Sequence, residues 1–211
     1  MIDWHEYIKL LVGLLVIVNP MLAIPEFITF TGGTSAEVRR TIARRTAMAV
    51  AIVIAVSAVG GKAILSAFEI RISAFQVGGG ILILLMAIAM LHAKKSGARH
   101  TDDEAREAMD KEDIAIVPLA IPLLAGPGTI STVIIYSHLG TSIMHLFILM
   151  VLGLIVAFTV WLVLRAAEPI AKLLGNTGIN IASRIMGLIL AAIAVEFITQ
   201  GLGQLLPGLA H

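Results

Sequence analysis

Two short stretches of this sequence have residue types and spacing that could do chemistry. They are Val18-Asn19-Pro20 and Leu124-Ala125-Gly126-Pro127-Gly128-Thr129, with the second proline 107 residues after the first. A proline offers no N–H to the carbonyl four residues back, so Pro20 frees the carbonyl of Val16 and Pro127 that of Leu123. Each stretch also reads as a helix start. Asn19 is an N-cap with Pro20 at the first helical position, and Gly126-Pro127 repeats that arrangement with a weaker cap. The amides after each break, on Met21 and Leu22 and on Gly128 and Thr129, then lack acceptors in their own helix and favour an anion such as a carboxylate. The freed carbonyls beside them suit an ammonium group. A site with both kinds of group matches a zwitterion, and Gly126 and Gly128 leave a narrow space that fits a small one. A single break would read as a structural kink satisfied by neighbouring helices, whereas two in matching places favour a binding site.

Two carboxylates are candidates for ion coupling or for holding a substrate ammonium. Glu196 falls near the middle of an apolar stretch, where a charge costs ~2.5–3.5 kcal/mol on insertion scales, so it is expected to face the bundle interior. There it would serve as a proton-coupling group or as a protonated structural donor. Glu26 could line an entry path or pair with Arg39 or Arg40 at the membrane boundary. Gln76 reads as structural, and Thr129 could give its hydroxyl to a substrate or back to its own helix. The six histidines show no close helical pairing and there are no cysteines, so neither a metal nor any other cofactor is expected. Nothing resembles a phosphate-binding G-x-x-x-x-G-K-[ST] loop, and a net charge of +1 gives no reason to expect a nucleic-acid partner. No serine–histidine or paired-carboxylate arrangement falls at one depth, so an enzyme is not expected.

The elements that must position these residues are membrane spans. Of the 211 residues, 58% are apolar and only 14% charged, which assigns the chain to the membrane class with the lipid bilayer as its solvent. Six apolar spans are predicted, near residues 7–30, 46–68, 72–91, 114–136, 143–164 and 183–206, each long enough to cross about 30 Å of hydrocarbon. Thr34-Ser35 offers a cap after Gly32-Gly33, and Arg39, Arg40, Arg44 and Arg45 read as a short basic loop. Residues 93–113 hold five basic and seven acidic side chains and read as a charged cytoplasmic linker. They divide the chain into a first three-helix repeat, 1–92, and a second, 114–211. The loops after spans one, three and five carry twelve lysines and arginines against three on the other side, which puts both termini outside.

One offset of 107 aligns the halves without a gap, pairing Pro20 with Pro127, Gly80 with Gly187 and Ala87 with Ala194. Three spans per half make the second repeat inverted, with spans one and four broken at mid-membrane.

Asn19-Pro20 followed by Ala23 and Pro25-Glu26-Phe27, together with Pro118, Pro122 and Ala125-Gly126-Pro127-Gly128, resembles the MarC family of bacterial inner-membrane proteins. The resemblance covers essentially the whole chain. It implies a multi-pass protein of the inner membrane and a relative of transporters of small neutral amino acids, with glycine and alanine as the substrate class. The expected activity is alternating-access secondary transport, with a proton or another cation as the candidate coupling ion. The rival readings are a passive channel or facilitator for small solutes, and a non-transporting scaffold that docks through the linker. The sequence carries no signal of an oligomeric state.

Overall fold

The computed structural model describes residues 4–92, 124–140, 142–206 and 208, and every regular element among them is helical. The first span consists of α1 (Trp4–Val18), a single 3-10 turn (Pro20–Leu22) and α2 (Ala23–Phe30). It is followed by α3 (Ala36–Ala67), α4 (Ile72–Leu91), α5 (Pro127–His138), α6 (Ile143–Arg165) and α7 (Ala167–Leu205). Among the described residues five stretches are long and apolar enough to cross a membrane: Trp4–Phe30, Ala36–Ala67, Ile72–Leu91, Ile143–Arg165 and Thr177–Leu205. α5 has 12 residues and so reaches about 18 Å, roughly half a bilayer. Pro118, Pro122, Leu123 and the 93–113 linker lie outside the described residues.

Two boundaries differ from the sequence reading. The four arginines expected in a loop form the first turns of α3, because Ser35 caps that helix, its Oγ accepting from Val38 N at 3.3 Å. Arginine is a good helix former, so the helix runs well beyond its apolar part. Ser35→Ala is expected to destabilise the chain by about 1 kcal/mol, read as a small fall in the thermal midpoint of helicity in detergent. The last apolar span starts at Thr177, after a non-helical Gly175 (φ 61°, ψ 178°), and not near Ser183. Arg184 is consequently an exposed residue of α7 instead of a loop residue, and its long stem lets the charge reach the interface.

Glycines set how closely the helices approach. A Cβ added at Gly80 of α4 would lie 2.8 Å from Ile198 Cγ1 and 3.0 Å from the carbonyl oxygen of Ala194, both on α7. One added at Gly187 of α7 would lie 3.0 Å from Met90 Cβ, 3.2 Å from the carbonyl oxygen of Ala87 and 3.4 Å from Leu91 Cγ, all on α4. Gly80 and Gly187, Ala87 and Ala194, and Leu91 and Ile198 are each 107 positions apart, so each helix offers the other the same surface. Such small-residue contacts let helix backbones approach in lipid, where no hydrophobic force drives them together. α5 is held by two further glycines: Ile134 sits directly on Gly61 of α3, and a Cβ at Gly79 of α4 would be 2.8 Å from Ser131 Cβ.

α3 packs on α6 through Val50, Ile54, Val156 and Val160, all at most 2% exposed. The opposite faces of these helices leave Ile52, Val56, Phe147 and Phe158 about 60% exposed, a surface suited to acyl chains and not to water. At the end of the bundle near the first residues, His145 joins three helices. Its Nε2–H donates to the Tyr136 carbonyl at 2.9 Å, so its Nδ1 accepts from Tyr7 Oη at 2.6 Å.

Candidate functional site

The first break occurs where expected but is built differently. Asn19 N donates to Leu15 O at 3.0 Å, closing the last turn of α1, and Leu22 N donates to Asn19 O at 3.1 Å, opening the 3-10 turn. The Leu22 amide, expected to be open, is therefore satisfied. Asn19 itself is left-handed (φ 42°, ψ 71°) and makes no capping bond, because a side-chain cap needs an extended backbone at that position. Asparagine is among the few non-glycine residues that tolerate this conformation. The outcome is a carboxamide only 4% exposed whose Nδ2 has no partner among the described residues. A buried donor left unpaired costs about 1–3 kcal/mol, which a bound acceptor would relieve.

The second break follows the expected geometry. Gly126 has the extended backbone of an N-cap (φ −74°, ψ −177°) and Pro127 occupies the first helical position. Ile130 N donates to Gly126 O at 3.1 Å, so the amides of Gly128 and Thr129 precede the first intrahelical bond. Thr129 is 1% exposed and returns its hydroxyl to the backbone, donating to Leu124 O at 3.1 Å across the break. Thr132 Oγ1 donates to Gly128 O at 2.9 Å. These two hydroxyls stabilise a helix start that has no side-chain cap.

The two breaks lie close together. A Cβ added at Gly128 would be 3.4 Å from Ile17 Cγ2, two residues before Asn19, and 3.1 Å from Ile83 Cγ1 and 3.4 Å from Met86 Sδ on α4. Two elements, α1 and α4, thus converge on the start of α5, and three aliphatic side chains fill the space in front of Gly128. Neither these wall residues nor Thr132 stood out in the sequence. Ile17, Ile83 and Met86 are ordinary apolar residues there, and their role depends on which helix faces meet.

The carboxylates lie elsewhere. Glu196 is exposed, and the expectation that it faces the packed interior is not met. The buried stripe of α7 carries Leu190, Ala194, Phe197 and Gly201, and Glu196 falls off it. Gln200 Nε2 donates to Glu196 Oε1 at 3.1 Å, and Gln76 Nε2 donates to Gln200 Oε1 at 3.1 Å, so a polar chain links α4 to α7. Gln76, 6% exposed, has the structural role expected of it. Glu196 lies at the level of Ser131, since neighbouring Gly79 and Gly80 pack on Ser131 and on Ala194 and Ile198. That is about 7 Å along α5 from Gly126 at 1.5 Å per residue. Glu26 is partly buried on α2, and Arg39, one of its two candidate partners, forms an ion pair with Glu168. Among the described residues no group of histidines and acids could hold a metal ion.

The helices carrying both breaks lie within residues 4–206, the region matched by the family model described as MarC family integral membrane protein. The chain belongs to the MarC family. Among its MarC relatives, the UPF0056 membrane protein BU267 of Buchnera aphidicola subsp. Acyrthosiphon pisum is 39% identical over 209 residues, which cover 99% of this chain and 97% of the relative. The UPF0056 membrane protein YhcE of Escherichia coli is 38% identical with the same coverage. The UPF0056 membrane protein YvbG of Bacillus subtilis is 37% identical over 202 residues, 95% of each chain. No solved structure matches this MarC chain. Family membership and the long apolar helices together make it an integral membrane protein in contact with lipid.

Proposed function

We propose that this chain is a secondary transporter of small neutral amino acids, of the glycine and alanine class, working by alternating access in the bacterial inner membrane. The observation that carries the reading is the buried Asn19 carboxamide, its Nδ2 without a partner among the described residues, at a break that meets the glycine-lined start of α5. A substrate carboxylate would take the Nδ2 donor together with the open amides of Gly128 and Thr129. Ile17, Ile83 and Met86 fill the space in front of Gly128, so admitting a substrate requires α1, α4 and α5 to move apart. That movement is what alternating access supplies, and the coupling ion is a proton or another cation. Glu196, exposed and linked through Gln200, is the carboxylate proposed to carry it.

The reciprocal contacts of Gly80 and Gly187 support six spans arranged as two inverted repeats. Contacts that repeat with the two partners exchanged are the signature of a two-fold axis. With three spans in each half, that axis lies in the membrane plane. The arginines at the start of α3, with Arg165 and Lys172 at the same end, support both termini outside.

Counterflow of labelled alanine in proteoliposomes tests the function. Asn19→Gly keeps the left-handed backbone without strain and removes only the carboxamide. It is expected to raise the apparent KM for alanine by on the order of tenfold, the worth of one buried hydrogen bond, while leaving the thermal midpoint nearly unchanged. Saturable flux without counterflow in the unmodified protein would favour a passive facilitator. No saturable flux at all would reject amino acid transport.

A further inference from the structure

A second feature, independent of what the breaks carry, lies where α3 and α7 begin and α6 ends. A cavity of about 220 Å³ there is lined by Arg39, Arg40 and Arg165, with Phe27, Leu164 and Glu168 also in its walls. Three guanidiniums face one carboxylate, and that carboxylate is already ion-paired with Arg39. Arg40 and Arg165 are exposed. The positive end of the α3 dipole adds to the same field, since α3 starts at Ala36, which also borders the cavity, while the start of α7 at Ala167 is offset by the carbonyl end of α6 beside it. By volume the cavity holds about seven waters, room for a phosphodiester and not for a whole lipid. Guanidiniums bind phosphate oxygens in a forked geometry that suits this composition.

We propose that this cavity binds the phosphate of an anionic phospholipid headgroup. The lipid source is favoured over a soluble anion by what descends from the cavity along α6. The Arg165 guanidinium stands 5.2 Å over the Trp161 ring, and Trp161 stacks on Phe158 at 5.6 Å. Phe158 is 59% exposed and Leu162 51% exposed. The surface thus passes from guanidinium through an indole to lipid-facing apolar side chains within about two turns, the polarity sequence of a lipid from headgroup to acyl chain. A soluble anion would use only the guanidiniums.

The test is thermal unfolding of the purified full chain in detergent, titrated with phosphatidylglycerol, phosphatidylcholine or inorganic phosphate. Native mass spectrometry of the same samples counts bound lipid. Phosphatidylglycerol is expected to raise the midpoint selectively and to remain bound. The double variant Arg40→Ala/Arg165→Ala should need at least ten times more phosphatidylglycerol for the same rise. Arg40→Lys/Arg165→Lys keeps the charge and loses the fork, so it should fall between and serves if the alanine pair fails to fold. Glu168→Gln releases Arg39 and should leave phosphatidylglycerol binding intact or tighter. Equal shifts with phosphatidylcholine, full retention of selectivity in the double variants, or an inorganic phosphate effect as large as that of the lipid would each overturn the proposal.

Discussion

Gly128→Leu is expected to remove saturable counterflow and to lower the stability of the folded chain. A Cβ at this position already lies 3.1 Å from Ile83 Cγ1 and 3.4 Å from both Ile17 Cγ2 and Met86 Sδ, so the rest of a leucine side chain has no space. Overpacking of this kind costs about 1–3 kcal/mol. The larger effect is expected on transport, because in the proposed cycle α1, α4 and α5 separate at the place where donors meet the substrate carboxylate. A displacement of about 1 Å among positioned groups costs on the order of 100-fold. Gly78→Leu is the internal control: it lies on α4 more than one turn before Ile83, and a Cβ there meets nothing within 4 Å. Counterflow and thermal midpoint should stay near the unmodified values in Gly78→Leu and fall together in Gly128→Leu. Equal behaviour of the two variants would mean that the start of α5 is not the site.

Gly80→Val is expected to be strongly destabilising, by about 3 kcal/mol or more. Its Cβ would meet the Ala194 carbonyl oxygen at 3.0 Å and Ile198 Cγ1 at 2.8 Å, and backbone cannot yield as a flexible side chain can. Gly187→Val strains the same helix pair from the other side, against the Ala87 carbonyl oxygen at 3.2 Å and Met90 Cβ at 3.0 Å. The two variants should therefore show similar falls in thermal midpoint. The double variant should lose less than the sum, since one separation of α4 from α7 relieves both clashes. A silent Gly187→Val beside a severe Gly80→Val would contradict the proposed two-fold relation between the halves.

What the sequence made legible was local. Pro20 and Pro127 act through rules that need no tertiary structure, so both breaks were visible, as was the Ser35 cap. The 107-residue offset was visible because glycines at helix contacts leave a sparse pattern. The conformation of Asn19 was not visible: its composition suits a cap and a left-handed turn equally, and the neighbouring packing selects the turn. The start of α3 was misread because hydropathy falls at Arg45 while helix propensity does not. Glu196 was misoriented, although a spacing of three and four through Gly187, Leu190, Ala194, Phe197 and Gly201 marks a face that excludes it. The pairing of Arg39 with Glu168 and the cavity beside it depend on residues far apart in the chain, for which a single sequence offers no signal.

Gly61 corresponds to Glu168 under the 107-residue offset, and Phe27 corresponds to Ile134. On one side Ile134 rests directly on Gly61, while on the other Phe27 and Glu168 share the wall of a cavity lined with arginines. Under the inverted repeat proposed above, the two mouths of the molecule therefore have similar backbones and different dielectrics. The Ile134–Gly61 contact is dry and uncharged, and the arginine-lined cavity is open and positive. An anion approaching the positive mouth is drawn by a field that salt weakens, whereas at the dry mouth it meets mainly a desolvation barrier. The free-energy profile across the chain is then lopsided even with no gradient imposed.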